Sequence, residues 1–353
     1  MANYFITYSY LYHQKDMLED HVRTGAYFNA CMRNKAQFKD RVVLDVGTGS
    51  GILAIFAAKA GAKKVYAVEA TSMAQHAREL VDAQGLSKVV EVIQGTIESV
   101  TLPEKVDIII SEWMGYFLLR ESMLDSVLVA RDKFLKPDGA LYPSHARMFL
   151  APIRSQLTQN RFQECSNSVE NWHDFVADMK EYYDVDLNCL TESFIEEQQD
   201  YFVKTATWAD VHPNQLLGPP VCFASLDLLT VTQDEIKKAL EANYSMHLPQ
   251  MCTVEGLAGF FDVEFKGSPS NPATDCVLLS TAPSATGATH WGQLIFSLQP
   301  GIPCPQNSTI EGKIDITRRG DNHRLLDVTL SEQALRMGEN NRKDLAKYLF
   351  HIE

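Results

Sequence analysis

From Val42 to about residue 143, short apolar runs alternate with amphipathic stretches. Val42–Val46, Lys64–Glu69, Val89–Ile93 and Val106–Ser111 read as four strands. The last of these, Val-Asp-Ile-Ile-Ile-Ser, is nearly continuous in apolar character, as expected of a strand covered on both faces. Ile52–Ala60, Ser72–Ala83 and Glu121–Phe134 read as helices, the third stopped by Lys136-Pro137-Asp138-Gly139. Strand–helix alternation of this kind predicts a doubly wound, Rossmann-like parallel sheet over residues 41–143. Residues 1–40 predict a helical N-terminal segment with a tyrosine-rich start (Tyr4, Phe5, Tyr8, Tyr10, Tyr12).

After Pro143 the pattern changes. Residues 160–200 have a helical pattern and are strongly acidic, with Arg161 and Lys180 as the only opposing charges and with Phe162, Trp172, Phe175, Tyr182, Tyr183 and Phe194 interleaved. From Leu216 onward short strand-like runs (Gly256–Phe265, Cys276–Ser280, Gly292–Leu298, Leu325–Leu330) predict an all-β module. We find no internal repeat and no low-complexity segment.

Composition narrows the functional classes. No apolar run approaches the length of a membrane span, and the N-terminus lacks the basic and apolar regions of a secretory signal. The seven cysteines are scattered, with no Cys-x-x-Cys, so no metal is expected and a reducing, cytoplasmic or nuclear location is. The formal net charge of −13 disfavours direct nucleic-acid binding and favours cationic partners, or simply confers solubility.

Three places carry candidate chemistry. Asp45-Val-Gly47-Thr-Gly49-Ser-Gly51 follows the first strand and precedes a helix, as a nucleotide-cofactor loop does. Its glycines are spaced G-x-G-x-G, and Asp45 sets a negative charge where a pyrophosphate would be repelled. S-adenosylmethionine, with a sulfonium and no phosphate, fits better; a tight strand-to-helix turn without a ligand is the alternative. Glu69 ends the second strand, where a carboxylate accepts from ribose hydroxyls, and Ile97-Glu98 follows the third, where a carboxylate can accept from an adenine amino group. Beyond the fourth strand, Glu112 and Glu121 bracket an apolar aromatic hairpin. Two costly charges there call for a cation between them, and a carboxylate fork suits a planar guanidinium. Met17, Asp20 and Arg23 are spaced to share one helix face.

At this point the chain resembles a known family. Ser111-Glu112-Trp113-Met114-Gly115-Tyr116 with Glu121-Ser122-Met123 resembles the double-glutamate loop of protein arginine methyltransferases, and Thr289-His290-Trp291 their threonine-histidine-tryptophan loop. Tyr4-Phe5-x-x-Tyr8 resembles their N-terminal motif, and Val43-Leu44-Asp45-Val46-Gly47 their first cofactor motif. The resemblance is to the asymmetric-dimethylating (type I) class. It implies a β-barrel domain over 144–353, interrupted at about 156–205 by a helical dimerisation arm, and S-adenosylmethionine as cofactor, released as S-adenosylhomocysteine.

The resemblance also implies roles. Arg23 would pair with the cofactor carboxylate, Asp45 with Gly47, Gly49 and Gly51 would line its loop, Glu69 would hold the ribose and Glu98 the adenine, beside Ile97. Glu112 and Glu121 would clamp the substrate guanidinium, Met17 and Met123 would shape the pocket, Asp20 and His290 would pair beside it, and Tyr8 would help close the lid. The implied assembly is a homodimer, and the implied substrates are arginines of basic proteins such as histone tails and Gly/Arg-rich segments. Gln14 departs from the family's frequent histidine. A small-molecule or nucleic-acid methyltransferase would leave the paired glutamates unexplained, and a non-enzymatic scaffold would leave the cofactor residues unexplained.

Overall fold

The computed structural model describes residues 8–338 and 341–353; Tyr4 and Phe5 of the N-terminal motif lie outside them. The chain divides into two compact units. The first holds residues up to Met148 together with Ala224–Lys238 and Phe261–Gly292; the second holds Phe149–Phe223, Ala239–Phe260 and Gln293–Glu353.

The first unit opens with helices α1 (Leu11–Glu19), α2 (His21–Met32) and α3 (Lys35–Phe38). It continues β1 (Val42–Val46), α4 (Ile52–Lys59), β2 (Lys64–Glu69), α5 (Met73–Ala83), β3 (Val90–Gln94), β4 (Val106–Ile110), α6 (Met123–Phe134) and β5 (Leu135–Tyr142). The strands form a parallel sheet in the order β3-β2-β1-β4-β5. β1 is buried along its whole length, as its five-residue run of Val, Leu and one Asp requires. The chain turns to opposite sides after β1 and β4, so the loops beyond their carboxyl ends border the topological switch point, where ligands bind in open α/β sheets. Both candidate loops, 45–51 and 111–123, lie there.

The structure differs from the sequence pattern at two places. The helix α6 ends just before Lys136-Pro137-Asp138-Gly139, as expected, but that segment belongs to a further strand, β5, that the pattern did not mark. The ladder runs from Val106↔Leu135 to Ile108↔Ala140, so these turn formers are extruded as a bulge. Lys136 returns from it to Asp107, 2.8 Å away, the polar residue of an otherwise apolar strand. Secondly, Met17, Asp20 and Arg23 do not share one helix face. Asp20 is the joint between α1 and α2, with extended backbone, and its Oδ1 accepts from the Arg23 backbone N–H at 2.9 Å. An aspartate that can cap a following helix breaks the preceding one, which spacing alone does not reveal.

In chain order there follow β6 (His145–Ile153), the acidic arm with α7 (Gln156–Tyr183) and α8 (Thr191–Gln199), and β7 (Thr207–Ala209), the arm and β7 belonging to the second unit. Then follow β8 (Val221–Asp227), α9 (Gln233–Lys237), β9 (Leu240–Leu248), β10 (Cys252–Gly267), β11 (Pro272–Ser280), β12 (Gln293–Cys304), β13 (Ser308–Arg318), β14 (Leu326–Arg336), β15 (Arg342–Asp344) and β16 (Tyr348–Ile352). The second unit is a barrel-like, strand-built domain, with β7 and β10 flanking β12, and β9, β13 and β14 forming a second antiparallel sheet edged by β15 and β16. Ile153, Val211, Ala258 and Ile295 form a core within it.

The arm is a helical hairpin whose base is tied to its own unit, Thr158 bonding to Ser297 and Gln159 to Glu255. Ser155 caps α7, accepting from Thr158 N–H, and Asp184 ends it in a left-handed conformation. Trp172 stacks on Phe194 of α8, ring centroids 4.3 Å apart, and its indole N–H donates to Thr191. At the base, the Arg161 guanidinium lies over the rings of Tyr201 and Phe202. Trp172 and Phe194 hold the hairpin closed, with Phe175 beside Trp172, whereas Tyr182 (68% exposed) and Tyr183 (70%) lie largely exposed at its turn.

Candidate active site at the carboxyl ends of β1, β2 and β4

The loop after β1 is built by left-handed glycines and by Glu69. Gly47, Gly49 and Gly51 have φ of +70°, +53° and +90°, conformations that cost a side-chain-bearing residue about 1 kcal/mol or more. Glu69, at the end of β2, accepts from Gly49 N–H through Oε2 (2.9 Å) and from Thr71 N–H through Oε1 (2.8 Å). Each carboxylate oxygen keeps a lone pair for a further donor. Gln14 of α1 reaches the same loop. Its Oε1 accepts from Ser50 N–H and its amide donates to the Tyr8 carbonyl, both at 3.2 Å. A Cβ on Gly49 would sit 2.7 Å from that Oε1. The glutamine that departs from the family pattern thus ties the N-terminal segment to the cofactor loop.

Asp45 is wholly buried in the central strand, with Oδ2 accepting from Thr48 Oγ1 at 2.5 Å. Burial pushes its carboxyl up to about 7, against the hydrogen bond from Thr48. Asp45 is therefore an internal brace of the loop. The repulsion argument drawn from its charge loses force, because the low dielectric that surrounds it also disfavours that charge. A carboxyl whose folded pKa is raised holds its proton longer in the folded state than in the unfolded chain. Its stabilising contribution is full below its unfolded value near 3.8 and is lost as pH rises toward 7. For the ligand-free protein this is worth at most about 4 kcal/mol. Asp45→Asn is expected to flatten the fall of Tm between about pH 4 and pH 7, read by thermal unfolding of both forms; parallel curves would refute the assignment.

The loop after β4 is anchored from several sides. Ser111 Oγ donates to the Val46 carbonyl (2.7 Å), the buried Tyr27 hydroxyl donates to the Ser111 carbonyl (2.9 Å), and the Trp291 indole donates to the Met114 carbonyl (3.1 Å). Burial lifts the Tyr27 phenol well above its ordinary value, so it stays a donor. Phe117, Leu118, Glu121 and Ser122 all have positive φ, a concentration of strain that recurs at functional sites. Gly115 is required because a side chain there would collide with the Arg120 carbonyl.

Both glutamates of this loop carry guanidinium groups from the chain itself. Arg23 donates through Nε (3.1 Å) and Nη2 (2.7 Å) to Oε2 of Glu112, and through Nη1 to the Met17 carbonyl (2.9 Å). Burial alone would lower the Arg23 pKa; Glu112 outweighs it and keeps the group cationic. Glu121 accepts from the Tyr8 hydroxyl at Oε2 (2.8 Å) and from Arg120 Nη1 at Oε1 (3.0 Å). Tyr8 is thus placed at Glu121. Arg120 and Tyr27 were not singled out by sequence reasoning. Arg120 hid inside the motif that drew attention to its neighbour, and nothing in the sequence around Tyr27 signals a distant carbonyl acceptor.

The remaining candidates fall as follows. Asp20 Oδ2 accepts from the His290 backbone N–H (2.9 Å) and lies 2.7 Å from its Nδ1. Burial pushes the Asp20 carboxyl up, but its hydrogen bonds from His290 and Arg23 together hold it below the usual range. The Met123 methyl lies against Gly47, where it leaves no room for a Cβ, and Met17 is half-buried. Ile97 is buried. Glu98 is exposed, and its carboxylate accepts from Ser126 of α6 (2.8 Å).

Comparison with known proteins agrees with this geometry. Residues 43–139 match the methyltransferase domain model, and residues 144–334 match the model of the arginine methyltransferase oligomerization subdomain. The chain is 54% identical over 328 residues (93% of this chain, 86% of the relative) to protein arginine N-methyltransferase PRMT10 of Oryza sativa subsp. japonica. It is 48% identical over 355 residues (100% and 92%) to PRMT10 of Arabidopsis thaliana. Its fold is similar to the crystal structure of the Arabidopsis protein arginine methyltransferase 10, with a TM-score of 0.96 at 47% identity over 99% of this chain and 100% of that one. It is also similar to the Trypanosoma brucei PRMT1 enzyme-prozyme heterotetrameric complex with AdoHcy, with a TM-score of 0.80 at 30% identity, covering 98% and 100%. A parallel-sheet methyltransferase domain with paired glutamates at its switch point, a barrel-like second unit and relatives of this closeness have one meaning: the chain belongs to the protein arginine N-methyltransferase family.

Proposed function

We propose that this enzyme transfers methyl groups from S-adenosylmethionine to the terminal nitrogens of protein arginines, giving monomethylarginine and then asymmetric dimethylarginine. Its substrates are histone tails and Gly/Arg-rich segments, and it works as a homodimer. The observation that carries the reading is that Glu112 and Glu121 each already hold a guanidinium, in a hairpin at the switch point.

The residues present fit the cofactor. Glu69 offers two fixed acceptors to a vicinal diol, Gly49 gives the loop its left-handed backbone, and Arg23 offers a cation to a carboxylate. The cofactor, when bound, supplies an electrophilic methyl group on a sulfonium. Everything else falls to the chain. A guanidinium is a poor nucleophile because its lone pairs are delocalised and its pKa is above about 12. Two carboxylates on its other nitrogens draw the positive charge toward themselves and leave the third nitrogen richer in electron density. Fixing that nitrogen in line supplies much of the acceleration, and preorganised charge supplies more. Asp20 and His290 form a hydrogen-bonded pair that can receive the proton released after transfer. Unbranched Met17 and Met123 can yield to an already methylated nitrogen, which supports a second transfer.

The arm's exposed aromatics support the homodimer, as does the match to an oligomerization subdomain; one solved relative is described as a heterotetrameric complex. The test is incubation of a Gly/Arg-rich peptide and a histone tail with isotope-labelled cofactor, followed by mass spectrometry. Asymmetric dimethylarginine is the expected end product. Symmetric dimethylarginine as the main product would reject the class, and no methylated arginine on any substrate would reject the reading.

A further inference from the structure

We infer that Cys252 and Cys304 form an oxidisable thiol pair, which a peroxide converts to an intramolecular disulfide that staples the second unit where its two sheets join. The pair lies in that unit, whereas the candidate active-site residues all lie in the first. Methyl transfer and thiol chemistry are therefore separate properties of the chain.

The register of one ladder makes the pair. β10 and β12 run antiparallel, with Cys252 opposite Cys304, Thr253 opposite Pro303 and Val254 opposite Ile302. Residues directly opposite on such a ladder share a face, with Cβ atoms about 4.5–5.5 Å apart. Burial identifies the face: Val254, Ile302 and Cys304 are buried, Cys252 is half-buried, and Thr253 and Pro303 between them are exposed. Both thiols therefore belong to the inner face. Opposed Cα atoms are about 4.5–5.5 Å apart, inside the span a disulfide bridges, and the Cβ atoms need to close by about 1 Å. The strand ends can supply that movement, because Cys252 opens β10 and Cys304 closes β12. All seven cysteines are free thiols. The Cys304 thiol donates to the Ile302 carbonyl at 3.2 Å, a weak bond that closure gives up.

Cys252 reacts first, being the more exposed of the two. Burial raises its pKa, and the nearby Arg154 cation works against that rise in favour of the thiolate. Its sulfur attacks one peroxide oxygen: an S–O bond forms, the O–O bond breaks, and the leaving hydroxide takes up the thiol proton as water. Cys304 Sγ then attacks the resulting sulfenic acid. The S–S bond forms, the S–O bond breaks, and the departing hydroxide takes the Cys304 proton as a second water. Two thiols are oxidised and one peroxide is reduced. Burial pushes the Cys304 thiol up to about 12, so the pair answers sustained oxidant rather than a brief pulse. The link would sit at a corner of the unit. Residues 249–251 join β9 to β10, residues 305–307 join β12 to β13, and Leu248 pairs with Ser308 across the neighbouring sheet. Glu255, on the same strand as Cys252, accepts from Ser155 N–H at the base of α7, so the staple would also fix the strand that roots the arm.

The experiment treats the full chain with hydrogen peroxide, blocks the remaining thiols by alkylation, and maps the non-reduced digest by mass spectrometry. Cys252 and Cys304 are expected to lose their alkylatable thiols together and to appear as one linked peptide, which dithiothreitol abolishes. In Cys304→Ser, Cys252 is expected to stop at the sulfenic acid and to be captured by dimedone. The linked protein is expected to unfold about 5 °C above the reduced protein, because a cross-link restricts the unfolded chain. The wild-type map decides by itself, so a variant that fails to fold leaves the test intact. Both cysteines remaining alkylatable while the exposed Cys189, Cys222 and Cys276 oxidise would overturn the inference. Linkage of Cys252 or Cys304 to another cysteine or to a second chain would overturn it as well. A linked protein that unfolds no higher than the reduced one would remove the staple.

Discussion

Glu112→Gln is expected to lower kcat/KM on an arginine peptide by at least about a thousandfold while the protein stays folded. Glutamine preserves the shape of the side chain and can still accept a hydrogen bond, so what is lost is charge. Removing one partner of a desolvated ion pair leaves the other uncompensated, at a cost of about 3–5 kcal/mol. In the free enzyme that abandoned partner is Arg23, which donates twice to a single Glu112 oxygen. In the reacting complex it is the substrate guanidinium. The variant should therefore lose cofactor affinity as well as turnover, by about tenfold, as Arg23 settles elsewhere. Glu121→Gln should behave differently. Glu121 accepts from Tyr8 and Arg120, not from the arginine that Glu112 holds. Turnover should fall as steeply, with cofactor affinity near wild type. Calorimetry with S-adenosylhomocysteine alongside steady-state kinetics separates the two. Near-wild-type kcat/KM in either variant would remove that residue from the clamp, and equal cofactor affinity in both would refute the coupling through Arg23.

That asymmetry between the two glutamates is where sequence and structure part. The motif marks both, and its setting at the end of a buried strand calls for a cation. Which cation is a matter of chain geometry. Arg23 arrives from α2 because Asp20 caps that helix and turns it, and a side chain-to-backbone cap of this kind is invisible to hydrophobic spacing. Arg120 arrives through two left-handed residues that no propensity predicts at Glu-Ser. The sheet was far more legible. β1, β2 and β4 are nearly continuous apolar runs, and the loop glycines sit where only left-handed backbone fits, so local chemistry and global fold agree there. β5 was missed for a physical reason: its turn-forming residues are extruded from the ladder, so a strand carries the local signature of a loop. Gln14 was visible as a departure from a pattern. Its bridging of Tyr8 to Ser50 needed coordinates.

If the arm's exposed tip seats on a second copy, as the proposed homodimer requires, severing that contact is expected to cost nearly all activity. The residues to change are Tyr182 and Tyr183, not Trp172. Trp172 stacks on Phe194 and its loss would open the hairpin, so an inactive Trp172→Ala protein would report only a collapsed arm. The two tyrosines end α7, pack against each other edge to face, and are largely exposed. Exposed aromatics in a heavily acidic segment mark an interface, and a second copy offers a fitting apolar surface. Phe28 and Val22 of α2 are both more than two-fifths exposed, and the Phe28 ring packs edge to face on Phe56 of α4, the helix that follows the glycine loop. Most of α4 is already buried within its own unit, so the partner has α2 rather than α4 to grip. A tip seated there would brace the helix carrying Arg23 and the helix behind the cofactor loop together, and reciprocal seating closes by two-fold symmetry. Tyr182→Glu with Tyr183→Glu should therefore give a folded monomer with weakened cofactor binding and at least about a hundredfold lower kcat/KM, since a misplaced site loses on that order. Sedimentation velocity and kinetics on the same preparation decide the matter. A double variant that sediments as a dimer with wild-type turnover would exclude the tip from the interface. A fully active monomer would break the link from assembly to the Arg23 helix, because the site would then hold its geometry without a partner to brace it.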